Sequence, residues 1–114
     1  MTDLPWMPLW VRDFRGSRKV QRMSMQEVGT YLMLLLEEWE NGPLEDDPDA
    51  LAVIVRSEPN VVRTTLERCF TNVGGRWENE RLEEVRAEQV AKLEKFKRAG
   101  QASGRARRKA KQGK

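Results

Sequence analysis

A chain of 114 residues with 39% apolar and 34% charged residues is long enough for one modest core, and its balance is that of a globular domain rather than a membrane protein. Cys69 is the only cysteine and histidine is absent, which excludes intrachain disulfides, imidazole metal sites and the usual histidine bases. The formal charge of +3 is unevenly spread: residues 98–114 hold seven Lys or Arg and no acid, leaving 14 basic against 18 acidic groups in the first 97. Basicity is therefore a property of the tail, and any argument for nucleic-acid binding has to be made locally.

The opening segment Leu4-Pro-Trp-Met-Pro-Leu-Trp-Val11 places apolar residues around two prolines, which predicts an extended stretch or short strand lying over a helix. Arg12 to Arg22 follows as a basic connector with a turn at Gly16-Ser17. Ser24-Met-Gln-Glu27 is a capping box and starts a helix, because the Ser24 hydroxyl and the Glu27 carboxylate can each satisfy an amide of the first turn. Val28, Leu32, Leu35 and Trp39 form one stripe. Tyr31, Met33, Leu34 and Leu36 widen it almost to the full circumference, so this is expected to be the most buried helix. Gly29 inside it costs about 1 kcal/mol of helix stability against Ala, tolerable if another element needs to approach closely there. Asn41-Gly42-Pro43 ends the helix. Its apolar run is far shorter than the roughly 20 residues that span a bilayer, and no signal segment opens the chain, so a cytoplasmic protein is expected.

Asp47-Pro48 reads as an N-cap and first helical residue, beginning a short helix to Val55 that buries Leu51, Ala52, Ile54 and Val55. Ser57-Glu58-Pro59 supplies a second start, and a helix runs to about Phe70 with Val62, Leu66, Cys69 and Phe70 inward. Phe70–Val73, Gly74-Gly75 and Arg76–Asn79 form a β-hairpin. From Glu80 to about Arg98 the chain is helical with a thin apolar face of Leu82, Val85, Val90, Leu93 and Phe96. Beyond Ala99-Gly100 the composition predicts a flexible basic tail.

These elements together predict an α+β, mainly helical fold: a winged helix (a helix-turn-helix with a β-hairpin wing) over residues 1–79, a C-terminal helix over 80–98, and a disordered basic tail over 99–114. On this reading Asn60, Arg63, Thr64 and Glu67 form the outward face of the second helix of the pair, with Arg68 at its edge. Asn and Arg are the residue types that read base edges. The alternative is a solvated helix face that serves a protein contact. Arg15, Arg18, Lys19 and Arg22 in the connector, Arg76 at the wing tip, and Arg105, Arg107, Arg108 and Lys109 in the tail are the expected phosphate contacts. Each also reads as an ordinary exposed cation. Glu45, Asp46, Asp47 and Asp49 lack the glycine and spacing of a calcium loop, and capping explains them better. Trp6, Trp10, Trp39 and Trp77 read as packing residues rather than base-stacking platforms.

On these residues the sequence resembles a phage- and prophage-associated family, the YdaU-like proteins. The likeness runs from residue 5 to about 104 and lies in Pro5-Trp-Met-Pro-Leu-Trp with Arg12-Asp13-Phe14, in Met23-Ser24 leading to Glu27-Val-Gly29-Thr-Tyr31-Leu32, and in Leu34-Leu35 to Trp39 with Asn41-Gly42-Pro43-Leu44. It continues through Asp47 to Leu51-Ala52, Gly75-Arg76-Trp77, Arg81-Leu82, and Ala99-Gly100 to Gly104. The resemblance implies a fold related to the origin-binding N-terminal domains of phage replication initiators. The expected function is accordingly binding of double-stranded DNA in replication initiation or its control, with a replicative helicase or helicase loader as a possible protein partner. A transcriptional regulator would use the same surface. An interaction adaptor, or a homodimer formed through the C-terminal helix, is the rival. An enzyme is not expected, because no nucleophile, base and oxyanion set can be assembled, and no cofactor or metal is implied.

Overall fold

The computed structural model describes residues 4–112, with side chains described for 4–101. The elements in chain order are α1 (Val11–Gly16), α2 (Arg18–Gln21), α3 (Met25–Asn41), β1 (Leu44–Glu45), α4 (Pro48–Val55), α5 (Pro59–Cys69), β2 (Thr71–Val73), β3 (Arg76–Glu78) and α6 (Glu80–Gln112). The fold is mainly helical, with a three-stranded antiparallel sheet of order β1-β3-β2 and a long C-terminal helix.

Helix α3 is the centre. The expected capping box forms: Glu27 N donates to Ser24 Oγ at 3.2 Å, while Ser24 N reaches Glu27 Oε1 at 3.5 Å. Leu34, Leu35 and Trp39 of α3 then pack with Leu51, Ala52 and Val55 of α4, Val62 and Leu66 of α5, and Phe70. Each of the buried Leu, Val and Phe side chains contributes roughly 1.5–3 kcal/mol by leaving water. The helix is not enclosed all round, however. Met33 and Leu36 are each 40% exposed and face outward with Ile54, which had been expected inside. Nothing would lie within 4 Å of a Cβ at Gly29, so no close approach by another element accounts for that glycine.

Asp47 caps α4 by accepting from Ala50 N at 3.2 Å, with Pro48 at the first position. Three residues, Arg56-Ser57-Glu58, join α4 to α5. Arg56 is left-handed at φ 58, and its amide and that of Ser57 both donate to Ala52 O, closing the end of α4. Glu58 is the N-cap residue of α5 and makes no side-chain cap bond. The Ser57 hydroxyl is paired instead with Thr30 Oγ1 at 2.7 Å, fixing the turn to α3.

The hairpin forms where the sequence places it. Gly74 and Gly75 adopt φ 59 and 84, and two successive positive φ angles are what a two-residue hairpin turn of matching twist needs. The third strand, β1, was not expected. Leu44 faces Trp77 and Glu45 faces Arg76, so a segment read as an acidic cap also supplies a strand of two residues. Asp46 beside it accepts Trp77 Nε1 at 2.9 Å.

At the N-terminus, residues 4–10 are irregular, with no strand. They do lie over a helix, since Trp39 Nε1 donates to Leu4 O at 3.2 Å. The connector proves to be two short helices broken at Ser17. Phe14 of α1 stacks on Tyr31 at 5.6 Å, and Tyr31 meets Phe70 edge-on, so burial of Phe14 organises a segment whose charge pattern reads as loop. Trp6 and Trp10 are exposed rather than packed, and Arg81 lies over the Trp10 ring at 4.6 Å while pairing with Asp13 at 2.7 Å.

Helix α6 buries Leu82 and Val85 and then leaves the body. It continues through Gln112, beyond the Arg98 limit expected for it, with helical backbone across the stretch read as flexible. Ala, Gln, Lys and Arg are all good helix formers, which offsets the cost of Gly100 and Gly104. Among the described residues no helix is long and apolar enough to cross a membrane.

Candidate nucleic-acid interface

Helix α5 is sharply two-sided. Val62, Thr65 and Leu66 are buried, and the Thr65 hydroxyl, which the core could not otherwise satisfy, donates to Val61 O at 2.7 Å. Asn60, Arg63 and Glu67 are exposed on the opposite side and Thr64 is half-buried among them, as positions three and four apart on one helix face must be. Thr64 Oγ1 donates to Asn60 O at 2.9 Å, so its hydroxyl keeps acceptor capacity outward. Asn60, Arg63 and Glu67 make no side-chain bond to the rest of the chain among the described residues.

Arg68 is placed differently. Its guanidinium donates to Glu27 Oε2 at 3.1 Å, and its carbonyl accepts Lys19 Nζ at 2.9 Å. The structure therefore brings α2, the start of α3 and the end of α5 to one point, 49 residues apart in sequence for the Lys19–Arg68 pair. A lysine at the C-terminus of α5 also meets the negative end of its dipole. Glu27 therefore has two roles, the local one of capping α3 and a pairing with Arg68 that only the fold creates. Arg15, Arg18 and Arg22 are exposed on α1, α2 and the turn after them, and Gln21 Nε2 donates to Arg15 O at 3.3 Å.

Arg76 stands at the start of β3, one residue past the turn, and its guanidinium donates to Pro43 O at 3.3 Å. It is thus held toward β1 rather than projecting from the hairpin tip. The side chains of Arg105, Arg107, Arg108 and Lys109 lie outside the described residues.

Behind this face is a buried polar junction. Glu38 has no exposed surface and accepts Asn79 N at 2.9 and 3.2 Å. Asn79 Oδ1 accepts Leu82 N at 3.1 Å, and its amide reaches Cys69 O and Tyr31 Oη. One side chain thereby caps α6 and ties it to α5 and α3. Burial, reinforced by the neighbouring Glu83 carboxyl, pushes the Glu38 carboxyl up to about 9. Glu83 Oε2 is buried without a partner, while Arg86 lies 3.6 Å from Glu83 Oε1 and donates to Trp39 O. Burial raises the Cys69 thiol as well, which keeps it protonated and a poor nucleophile. Among the described residues no group of three or more acidic or cysteine side chains is gathered to hold a metal ion.

The architecture is that of a small helical domain that presents one polar helix face beside a short sheet. By sequence the chain belongs to a family described as a protein of unknown function (DUF1376), matched over residues 5–87. It is similar to an uncharacterized protein, YdaU, of Escherichia coli (strain K12), with 33% identity over 110 residues, covering 95% of this chain. The chain spans 38% of that relative's length. No solved structure matches it.

Proposed function

We propose that this chain is a winged-helix module that binds double-stranded DNA, with α5 in the major groove. The observation that carries the reading is the outward face of α5. Asn60, Arg63, Thr64 and Glu67 share one exposed side of a helix whose other side is locked in the core, and Arg and Asn are suited to the acceptor and donor edges of guanine and adenine. Two features support the fold assignment. The order helix, strand, helix, helix, strand, strand over α3 to β3, with β1 pairing to β3, is the winged-helix order. The α4–α5 turn of three residues is also of the length that helix-turn-helix units use.

Lys19, Arg68 and the exposed arginines of α1 and α2 would lie along phosphates, and the basic stretch Arg105 to Lys109 would extend that contact. The resemblance to phage- and prophage-associated proteins noted from the sequence suggests a setting in phage DNA metabolism, with replication initiation or its control as the role favoured. Fluorescence anisotropy with labelled duplexes tests the reading. Binding should weaken steeply between about 50 and about 200 mM salt, and absence of duplex binding at low salt, with folded protein, overturns it.

A further inference from the structure

We infer that the middle of α6, residues 90–98, is a dimerisation arm that seats in an acidic-lipped apolar cleft of a second copy of this chain. The cleft, about 620 Å³, lies between the N-terminal segment, α3 and α4. Trp6, Met33, Leu36 and Ile54 stand in it with large exposed apolar surfaces, and Glu37 and Glu40 stand beside them. A row of apolar side chains left in water on one face is the usual mark of an interaction site.

The same chain carries a complementary element. Past Val85, α6 holds Val90, Leu93 and Phe96 at three-residue spacing, and Phe96 is 80% exposed. Around them are Lys92, Lys95, Lys97 and Arg98 against the single acid Glu94. The arm is therefore apolar along one side and basic around it, and the cleft is apolar within and acidic at Glu37 and Glu40. Opposite charge around matched apolar surfaces selects a partner and disfavours pairing of like arms.

The arm cannot reach the cleft of its own chain. Its root is fixed by the burial of Leu82 and Val85, by the Glu38–Asn79 bonds and by Arg86 donating to Trp39 O. Root included, α6 is unbroken over 33 residues, about 50 Å at the rise of an α-helix, along a molecule measuring 69 × 29 × 23 Å. An unbroken helix does not double back, so the occupant comes from another copy, and reciprocal exchange of arms closes the pair. A lone helix of this length with so little packed surface also gains most from such a contact. The inference does not depend on DNA binding.

Sedimentation velocity of the full chain at about 100 µM should show a dimer. Phe96→Glu and Leu36→Glu should each raise the dimer dissociation constant at least about tenfold. Both positions lie outside the core, and circular dichroism identifies any variant that has lost its fold. Glu37→Lys with Glu40→Lys should weaken the dimer, and Lys95→Glu with Lys97→Glu should restore it. In a Cys69→Ser background, an equal mixture of Leu36→Cys and Phe96→Cys chains should oxidise to the mixed disulfide dimer. A monomer at every concentration overturns the inference. A dimer lost in Phe96→Glu but intact in Leu36→Glu overturns it as well, because the arms would then pair with each other.

Discussion

The Glu38 carboxyl, in the middle of α3, accepts the backbone amide of Asn79 at 2.9 Å, 41 residues later and one residue before α6 begins. The two residues bolt the long helix to the core through an acid with no exposed surface. Because desolvation and the Glu83 carboxyl raise Glu38 from its ordinary 4.5 to about 9, its proton is part of the native structure at neutral pH.

Between those two values the native state binds a proton that the unfolded state has released, so stability falls as pH rises through that window and levels off above it. Glu38→Gln keeps a neutral side chain that can accept from Asn79 and donate to Glu83. It should stabilise the protein at about pH 8 by on the order of 1–3 kcal/mol and flatten the slope between about pH 5 and pH 8. Urea midpoints at the two pH values measure this, and parallel pH profiles for the two proteins would contradict it.

Arg56 holds φ 58 and ψ 46 at the end of α4 with no glycine to ease it. Arg56→Gly should raise stability by about 0.5–1 kcal/mol, since the strain of a side chain in that region outweighs the added freedom of the unfolded chain. A lowered melting temperature would show instead that the Arg56 side chain makes a stabilising contact.

Trp39 joins the N-terminal segment to the core through Nε1 donating to Leu4 O. Trp39→Phe should cost about 1–3 kcal/mol by loss of volume and of that bond. It should also raise amide exchange at residues 4–10 more than in α5. Uniform loss of protection would mean that the segment is not a separate layer.

Arg63 and Arg107 should differ in kind. Arg63→Ala should reduce discrimination between a preferred duplex and random DNA by about 1–3 kcal/mol, whereas Arg107→Ala should weaken both alike and lower the salt slope by about one. Equal effects of the two variants on discrimination would remove α5 as the reading helix. Arg68→Ala should cost little in stability whatever it does to binding, because its pair with Glu27 is largely in water, with side-chain exposures of 54% and 29%.

Sequence alone determined the parts whose signals are local. The capping box at Ser24 and Glu27, the Asp47-Pro48 start, the four-and-three spacing in α5 and the Gly74-Gly75 turn each act within a few residues. Chemistry of that range is readable from a string, and it also put Asn60, Arg63 and Glu67 on the exposed side of their helix. Tertiary structure alone decided what depends on distant partners. β1 exists because β3, distant in sequence, offers it hydrogen bonds at Leu44–Trp77 and Glu45–Arg76, and α1 is anchored where Phe14 meets Tyr31. Arg68 is drawn to Glu27, Lys19 to the carbonyl of Arg68, and Arg76 is turned back to Pro43. Charge spacing along a chain says nothing of which carboxylate or carbonyl will be within 3 Å after folding, because long-range contacts are set by how the core packs.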